Sequence, residues 1–223
     1  MIIEQAPLFR LFKLQIKASE RQAFKQIGQQ NLLTSIKQEP GTLAMYTGHV
    51  DDAGLENRVL ELYRDQASYA RHAQSSQFQA FKTVAGKAVV EQSMRPLTPL
   101  CLLQQAPAIR EIAPTNQFVA LTEMTVKAAK LSEMQTRLKG EMHQGLTTDA
   151  GLVVAYLGQD QAEPQKLVLF EVYRDALAYQ QVCQTVNFKL FQQMSQPLIV
   201  QQKITAIKPD VLVNHGPLTF ATR

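Results

Sequence analysis

The sequence predicts an α+β chain: two ferredoxin-like β-α-β-β-α-β domains whose antiparallel sheets pack face to face as an intramolecular α+β barrel. Three observations predict it. The chain repeats itself at an offset of 110 residues. Each repeat runs through strand and helix periodicities in the same order. The strand face turned away from the helices is apolar, so each sheet needs a second one to cover it.

The repeat is clearest where residues 39–83 meet residues 149–193 without a gap, with 11 of 45 pairs identical. Average composition would give about one identity in sixteen. The identities cluster at aromatic, Gly and charged positions: Gly41/Gly151, Tyr46/Tyr156, Gly48/Gly158, Glu61/Glu171, Tyr63/Tyr173, Arg64/Arg174, Asp65/Asp175, Tyr69/Tyr179, Phe78/Phe188 and Phe81/Phe191. The period is too long for a solenoid and suits a domain. Domains at 1–106 and 115–223 follow, joined near Gln104–Gln117, where Pro107 and Pro114 interrupt structure.

Within the first unit, Leu8–Lys17 alternates as a strand. Leu8, Arg10, Phe12, Leu14 and Ile16 share one face, and Phe9 and Leu11 the other. Ser19, with Gln22 three residues on, reads as a capping box opening a helix that Pro40-Gly41 stops. Thr42–His49 and Asn57–Tyr63 form a hairpin around the turn Asp51–Gly54. Phe9 and Leu11, with Val59 and Tyr63 of the third strand, are expected on the covered second face. Asp65 caps a second helix carrying Tyr69, His72, Phe78 and Phe81. A strand near Leu97–Leu103 closes the unit. The second unit repeats this order: strand 117–127, helix 130–148, strands 151–158 and 165–173, helix 175–194, strand 198–213.

Composition excludes several classes. Apolar residues make up 45% and charged residues 19% of the 223, as expected of a folded globular chain. No window approaches 18 uninterrupted apolar residues, so no membrane span is expected. Polar residues interrupt the N-terminus too early for a secretory signal. Cys101 and Cys183 lack metal spacing and read as reduced thiols of a cytoplasmic protein. The net charge of +4 comes from scattered Lys and Arg, so no nucleic-acid partner is expected.

The Glu39–Thr42 segment before a strand, Glu61–Asp65, and the helical run Tyr69, His72, Ser75, Phe78 resemble the antibiotic biosynthesis monooxygenase family, whose members share the dimeric α+β barrel. The resemblance spans nearly all of both halves. It implies a cofactor-independent oxidoreductase acting with O2 on a small aromatic, phenolic or quinol compound, with no metal and no other cofactor. The alternative is a non-catalytic module binding a hydrophobic metabolite or serving a stress response. Haem binding or degradation is disfavoured, since the chain has no Trp, and Lys82 and Gln192 stand where haem-degrading relatives place a His. A pseudo-dimer within one chain is implied, with further self-association open.

His72 is the candidate catalytic base, able to accept a phenolic proton near neutral pH. Its second-half counterpart is Val182, so the working site is expected within residues 1–104. The alternative for His72 is a packed, hydrogen-bonded helix residue. Tyr46, Glu61, Tyr63, Phe78 and Phe81 are candidate substrate contacts, with Tyr156, Glu171, Tyr173, Phe188 and Phe191 as second-half equivalents. The Tyr rings equally suit a barrel interface. Glu61 is expected to face the inter-sheet space, either as a base or paired with a strand cation such as Lys13.

Overall fold

The computed structural model describes residues 1–148 and 151–222. In the first half, β1 (Leu8–Ile16) leads through a single 3-10 turn to α1 (Arg21–Gln38) and the hairpin β2 (Thr42–His49) and β3 (Glu56–Tyr63). Helices α2 (Gln66–Gln74) and α3 (Ser76–Ala88) and the strand β4 (Val89–Gln104) complete it. A short β5 (Arg110–Ile112) lies in the connection. The second half runs β6 (Phe118–Val126), α4 (Leu131–Thr147), β7 (Leu152–Asp160), β8 (Lys166–Tyr173), α5 (Ala176–Gln184), α6 (Val186–Ser195), β9 (Ile199–Asn214) and β10 (Leu218–Ala221). The second-half counterparts of Glu39 and Pro40, residues 149 and 150, lie outside the described residues.

The strands pair in the order β1-β3-β2-β9-β6-β8-β7-β4, and β4 returns to β1, closing an antiparallel barrel. The long strands hold the halves together. Residues 89–97 of β4 pair with β1 of their own half, and residues 97–104 pair with β7 of the other. Strand β9 does the reverse, pairing first with β6 and then with β2. Closure leaves few free sheet edges, which is how a barrel avoids the exposed hydrogen-bonding rows of an open sheet.

Alternation along each strand sends one set of side chains inward and the other toward the helices. Phe9, Leu11, Leu60, Leu62, Leu102, Val119, Leu121, Val154, Val168 and Phe170 fill the interior from both halves. Outside it, each half has its own helix–sheet layer. Among the described residues no helix is long and apolar enough to cross a membrane.

Several local expectations are corrected. Val59 and Tyr63 face the helices rather than sharing the interior with Phe9 and Leu11. The pleat requires this, because Leu60 and Leu62 point inward. No Ser19 capping box forms: Ser19 lies inside the 3-10 turn, and α1 begins with no side-chain cap. The second helix of each half is two helices. Ser75 and Thr185 take extended backbone and accept from the N–H groups of Phe78 and Phe188, starting a new helix. Strand β4 begins eight residues before Leu97, and its first stretch is largely solvent-facing, Val90 and Met94 included, so no buried alternating face marks it.

Candidate functional site

The two helix–sheet layers are built on the same plan, and the second contains a cavity of about 450 Å³. Four substitutions between equivalent positions set the two layers apart. In the first half Phe12 packs with Phe24 and Phe81, the last two rings 5.6 Å apart. The equivalent residues are Thr122, Met134 and Phe191, all on the cavity wall. Gly28 lets α1 lie on α3, where an added Cβ would stand 3.9 Å from Phe81. Leu138 takes that place on α4 and lines the cavity instead. Helix separation follows the side chains at the contact, so Gly closes the layer and Leu holds it apart.

The fourth substitution is electrostatic. Arg10 and Glu61 are cross-strand neighbours on β1 and β3, joined by a buried ion pair of 2.8 Å. The Arg10 guanidinium also sits 3.8 Å from the centre of the Tyr69 ring. At the equivalent pair on β6 and β8, Ala120 faces Glu171. Glu171 therefore keeps its carboxyl without the cation. Burial pushes it up to about 7, with the Glu141 charge adding to the rise and a hydrogen bond from Tyr173 opposing it. The Tyr173 hydroxyl donates to Glu171 Oε1 at 3.0 Å. The surface that Glu171 retains is cavity wall.

Around it stand Met124, Met142, Leu169, Tyr173, Tyr179, Phe188 and Phe191. Burial lifts the Tyr179 phenol to about 12, so it stays a neutral donor. Glu141 and the exposed Lys189 complete the charged lining. Gln192, Gln193, Ser195, Gln196 and Gln202 complete a lining of mixed polarity, and a cavity of this kind with one carboxyl poised near neutrality has the chemistry of a small-molecule site.

The structure thus brings Glu171, Tyr173, Phe188 and Phe191 together. His72 lies elsewhere: it is fully buried in the filled layer, its ring 4.7 Å from Phe78 and 5.4 Å from Tyr63. Its Nδ1 is 2.9 Å from Glu39 Oε2 and 3.2 Å from Ser35 Oγ. Burial alone would raise the Glu39 carboxyl, but hydrogen bonds from His72 and Thr42 bring it below its ordinary value. His72 thus lies away from the second-half cavity, and in its own half Arg10, Phe12, Phe24 and Phe81 stand at the positions equivalent to Ala120, Thr122, Met134 and Phe191. Phe78 and Phe81 are part of the packing of that half. Glu61 faces the helices, not the inter-sheet space, and its partner is Arg10. Lys13 instead reaches Glu123 at 2.7 Å, its own equivalent in the other half.

Tyr46 and Tyr156 lie in the barrel interior, apart from the cavity. The void beside Tyr46 is about 10 Å³, too small for a ligand. Sequence reasoning missed Glu141, Thr122 and Met134. Their signal lay in the differences between the halves, at Asn31/Glu141, Phe12/Thr122 and Phe24/Met134, rather than in the identities.

A barrel closed within one chain, with one helix–sheet layer opened beside a half-buried carboxyl, defines a pseudo-dimeric α+β barrel with a small-molecule cavity. The family model described as antibiotic biosynthesis monooxygenase matches residues 7–84 and again residues 117–194. The chain belongs to that family, as a tandem duplication with monooxygenase-like character. A candidate monooxygenase from Lactobacillus acidophilus superposes with a TM-score of 0.89 at 23% identity, over 97% of this chain and 100% of that one. Another, from Fusobacterium nucleatum, gives 0.91 at 18%, over 99% and 100%. A structure described as an anthrone oxidase-like protein gives 0.60 at 12%, over 97% and 96%. These likenesses establish the fold. No curated protein matches the chain.

Proposed function

We propose that this chain is a cofactor-independent monooxygenase that oxidises a small aromatic, phenolic or quinol compound with O2 in the second-half cavity, with Glu171 as general base. The observation that carries this reading is the Glu171 carboxyl on the cavity wall, raised by burial to about 7, held by Tyr173 and, among the described residues, outside every ion pair. A base matched to neutral pH takes a phenolic or activated C–H proton most effectively. The resulting anion passes one electron to O2. The substrate radical and superoxide combine at carbon to a peroxide anion, whose terminal oxygen takes the proton to become a hydroperoxide. Cleavage of its O–O bond with loss of the carbon-bound hydrogen gives a carbonyl and water. One phenol and one O2 thus yield one quinone and one water. The protein contributes a dry cavity, orientation and the base.

The test is oxygen uptake, aerobic against anaerobic, over a panel of anthrones and hydroquinones; the fold shared with an anthrone oxidase-like protein makes anthrones a first choice. Glu171→Gln is expected to lower kcat by about 10²–10⁴-fold, the usual worth of a general base. His72→Ala is expected to leave the turnover of folded protein unchanged. No uptake with any panel member overturns the reading, and a ligand retained in native mass spectrometry without turnover replaces it with a binding role.

A further inference from the structure

We propose that Glu141 makes the second-half cavity selective for an aromatic ligand bearing a cationic amine. The first half shows what the site looks like with a cation in it. There the Arg10 guanidinium lies 2.8 Å from Glu61 and 3.8 Å from the Tyr69 ring centre, the protein supplying its own counter-ion. The second half keeps the carboxyl as Glu171 and the ring as Tyr179. It replaces the cation by Ala120 and gains a second carboxyl, Glu141, where the first half has neutral Asn31. One position has lost a positive charge and another has gained a negative one.

Glu141 is placed to meet a ligand on its way in. It lines both the cavity and the outer groove between α4 and α6. Arg137 lines the same groove but bonds Glu133, as does Lys130, and Lys139 bonds Thr222. The charged and titratable groups around the cavity are Glu141 from α4, Glu171 and Tyr173 from β8, Tyr179 from α5 and Lys189 from α6. With both carboxyls ionised, the lining is net negative even after counting Lys189, which is exposed. Burial also raises the Glu141 carboxyl, so a bound cation would stabilise its ionised form. The faces of Tyr173, Tyr179, Phe188 and Phe191 suit an aromatic body and favour an adjacent positive charge. A ligand with its ring toward Glu171 and its amine toward Glu141 supplies the cation this half has lost. A carboxylate or phosphate at the same place would face repulsion.

The inference rests on the proposed function only for the identity of the ligand cavity. Its test is calorimetric binding under argon, so turnover does not enter. Three probes share one ring: 4-(2-aminoethyl)catechol, 4-ethylcatechol and 3,4-dihydroxyphenylacetate, with cationic, neutral and anionic side chains. The expected order is cation, neutral, anion, with the cation ahead of the neutral probe by about tenfold or more, the scale of a desolvated charge pair. Glu141→Gln is expected to remove that advantage while leaving the neutral probe's affinity in place, which also shows that the variant is folded. Equal binding of the three, a cation preference untouched by Glu141→Gln, an anion preference abolished by Lys189→Gln, or no binding at all each overturns the inference. The oxygen-uptake assay decides the enzymatic reading separately.

Discussion

The hydroxyls of Tyr46 and Tyr156 stand 3.3 Å apart in the middle of the barrel, each ring the repeat-equivalent of the other. Asn214 Nδ2 donates to Tyr46 at 2.9 Å, and Tyr156 donates to Gln104. Gln104 and Asn214 are themselves equivalents. Two repeat positions, each used twice, therefore build a continuous hydrogen-bonded chain across the pseudo-twofold axis. Burial lifts the Tyr46 phenol to about 12, so it remains a donor at any working pH. In an apolar interior such a chain is stabilising only when every member is satisfied. It fixes how the two halves meet.

Removing one hydroxyl should break that seam. Tyr46→Phe leaves the Asn214 amide short of its partner, and Tyr156→Phe does the same to Gln104. Each is expected to cost about 1–3 kcal/mol, the penalty of a stranded buried polar group. The double variant should cost less than the sum of the two, because they share one network. Urea denaturation measures this, and binding to the second-half cavity should be unchanged. Additive losses would mean the hydroxyls act independently.

The duplication, the strand order within each half and the need for a covered sheet face were all legible from residues that recur: Tyr46 with Tyr156, Glu61 with Glu171, Phe78 with Phe188. Recurrence marks what both halves need in order to fold. The cavity was not legible that way, because it depends on what does not recur. Phe12 against Thr122 and Gly28 against Leu138 are unremarkable substitutions until α1 is seen lying on α3 and α4 standing off α6. His72 drew attention as the most titratable side chain on its helix. Its bonds to Glu39 and Ser35 are tertiary, and no helical spacing reveals them.

Arg10 is expected to be structural. Arg10→Met leaves the Glu61 carboxylate buried and unpaired, which typically costs about 3–5 kcal/mol. Arg10→Met with Glu61→Gln should recover most of that loss, since no charge is then stranded. Thermal or urea unfolding of the single and double variants checks it. A single variant as stable as the parent would show that Glu61 gains little from its partner.

The Glu171 carboxyl should give stability and activity opposite pH dependences. Its folded value is about 7 against an ordinary 4.5, so the folded state holds the proton more tightly than the unfolded chain. That contribution is complete below about 4.5 and is lost as the pH rises through about 7, on the order of 3 kcal/mol in all. A general base works the other way, and kcat should climb through the same range as the carboxylate forms. Glu141, Tyr173, Tyr179 and Lys189 share the cavity. Glu171→Gln should therefore flatten the Glu171 limb in both profiles. A rate profile unchanged by Glu171→Gln would assign the limb to another group.

Grafting the first half's filling onto the second should close the cavity. Ala120 faces Glu171 across the sheet as Arg10 faces Glu61, so Ala120→Arg places a guanidinium opposite the carboxyl. Thr122→Phe restores the ring that packs against the helices in the first half. Together they should bring Glu171 back toward the ordinary carboxylate range, since an opposing cation favours the ionised form. Bound catechol and oxygen uptake should fall together, by at least about tenfold. Either change alone should do less: the Arg supplies charge but leaves space, and the Phe fills space but leaves the carboxyl unpaired. Carboxyl titration by NMR, with calorimetry on the same samples, separates these contributions. If the double variant still binds ligand and Glu171 still titrates near 7, the opening is set by Leu138 holding α4 away from α6, and Leu138→Gly becomes the substitution that closes it.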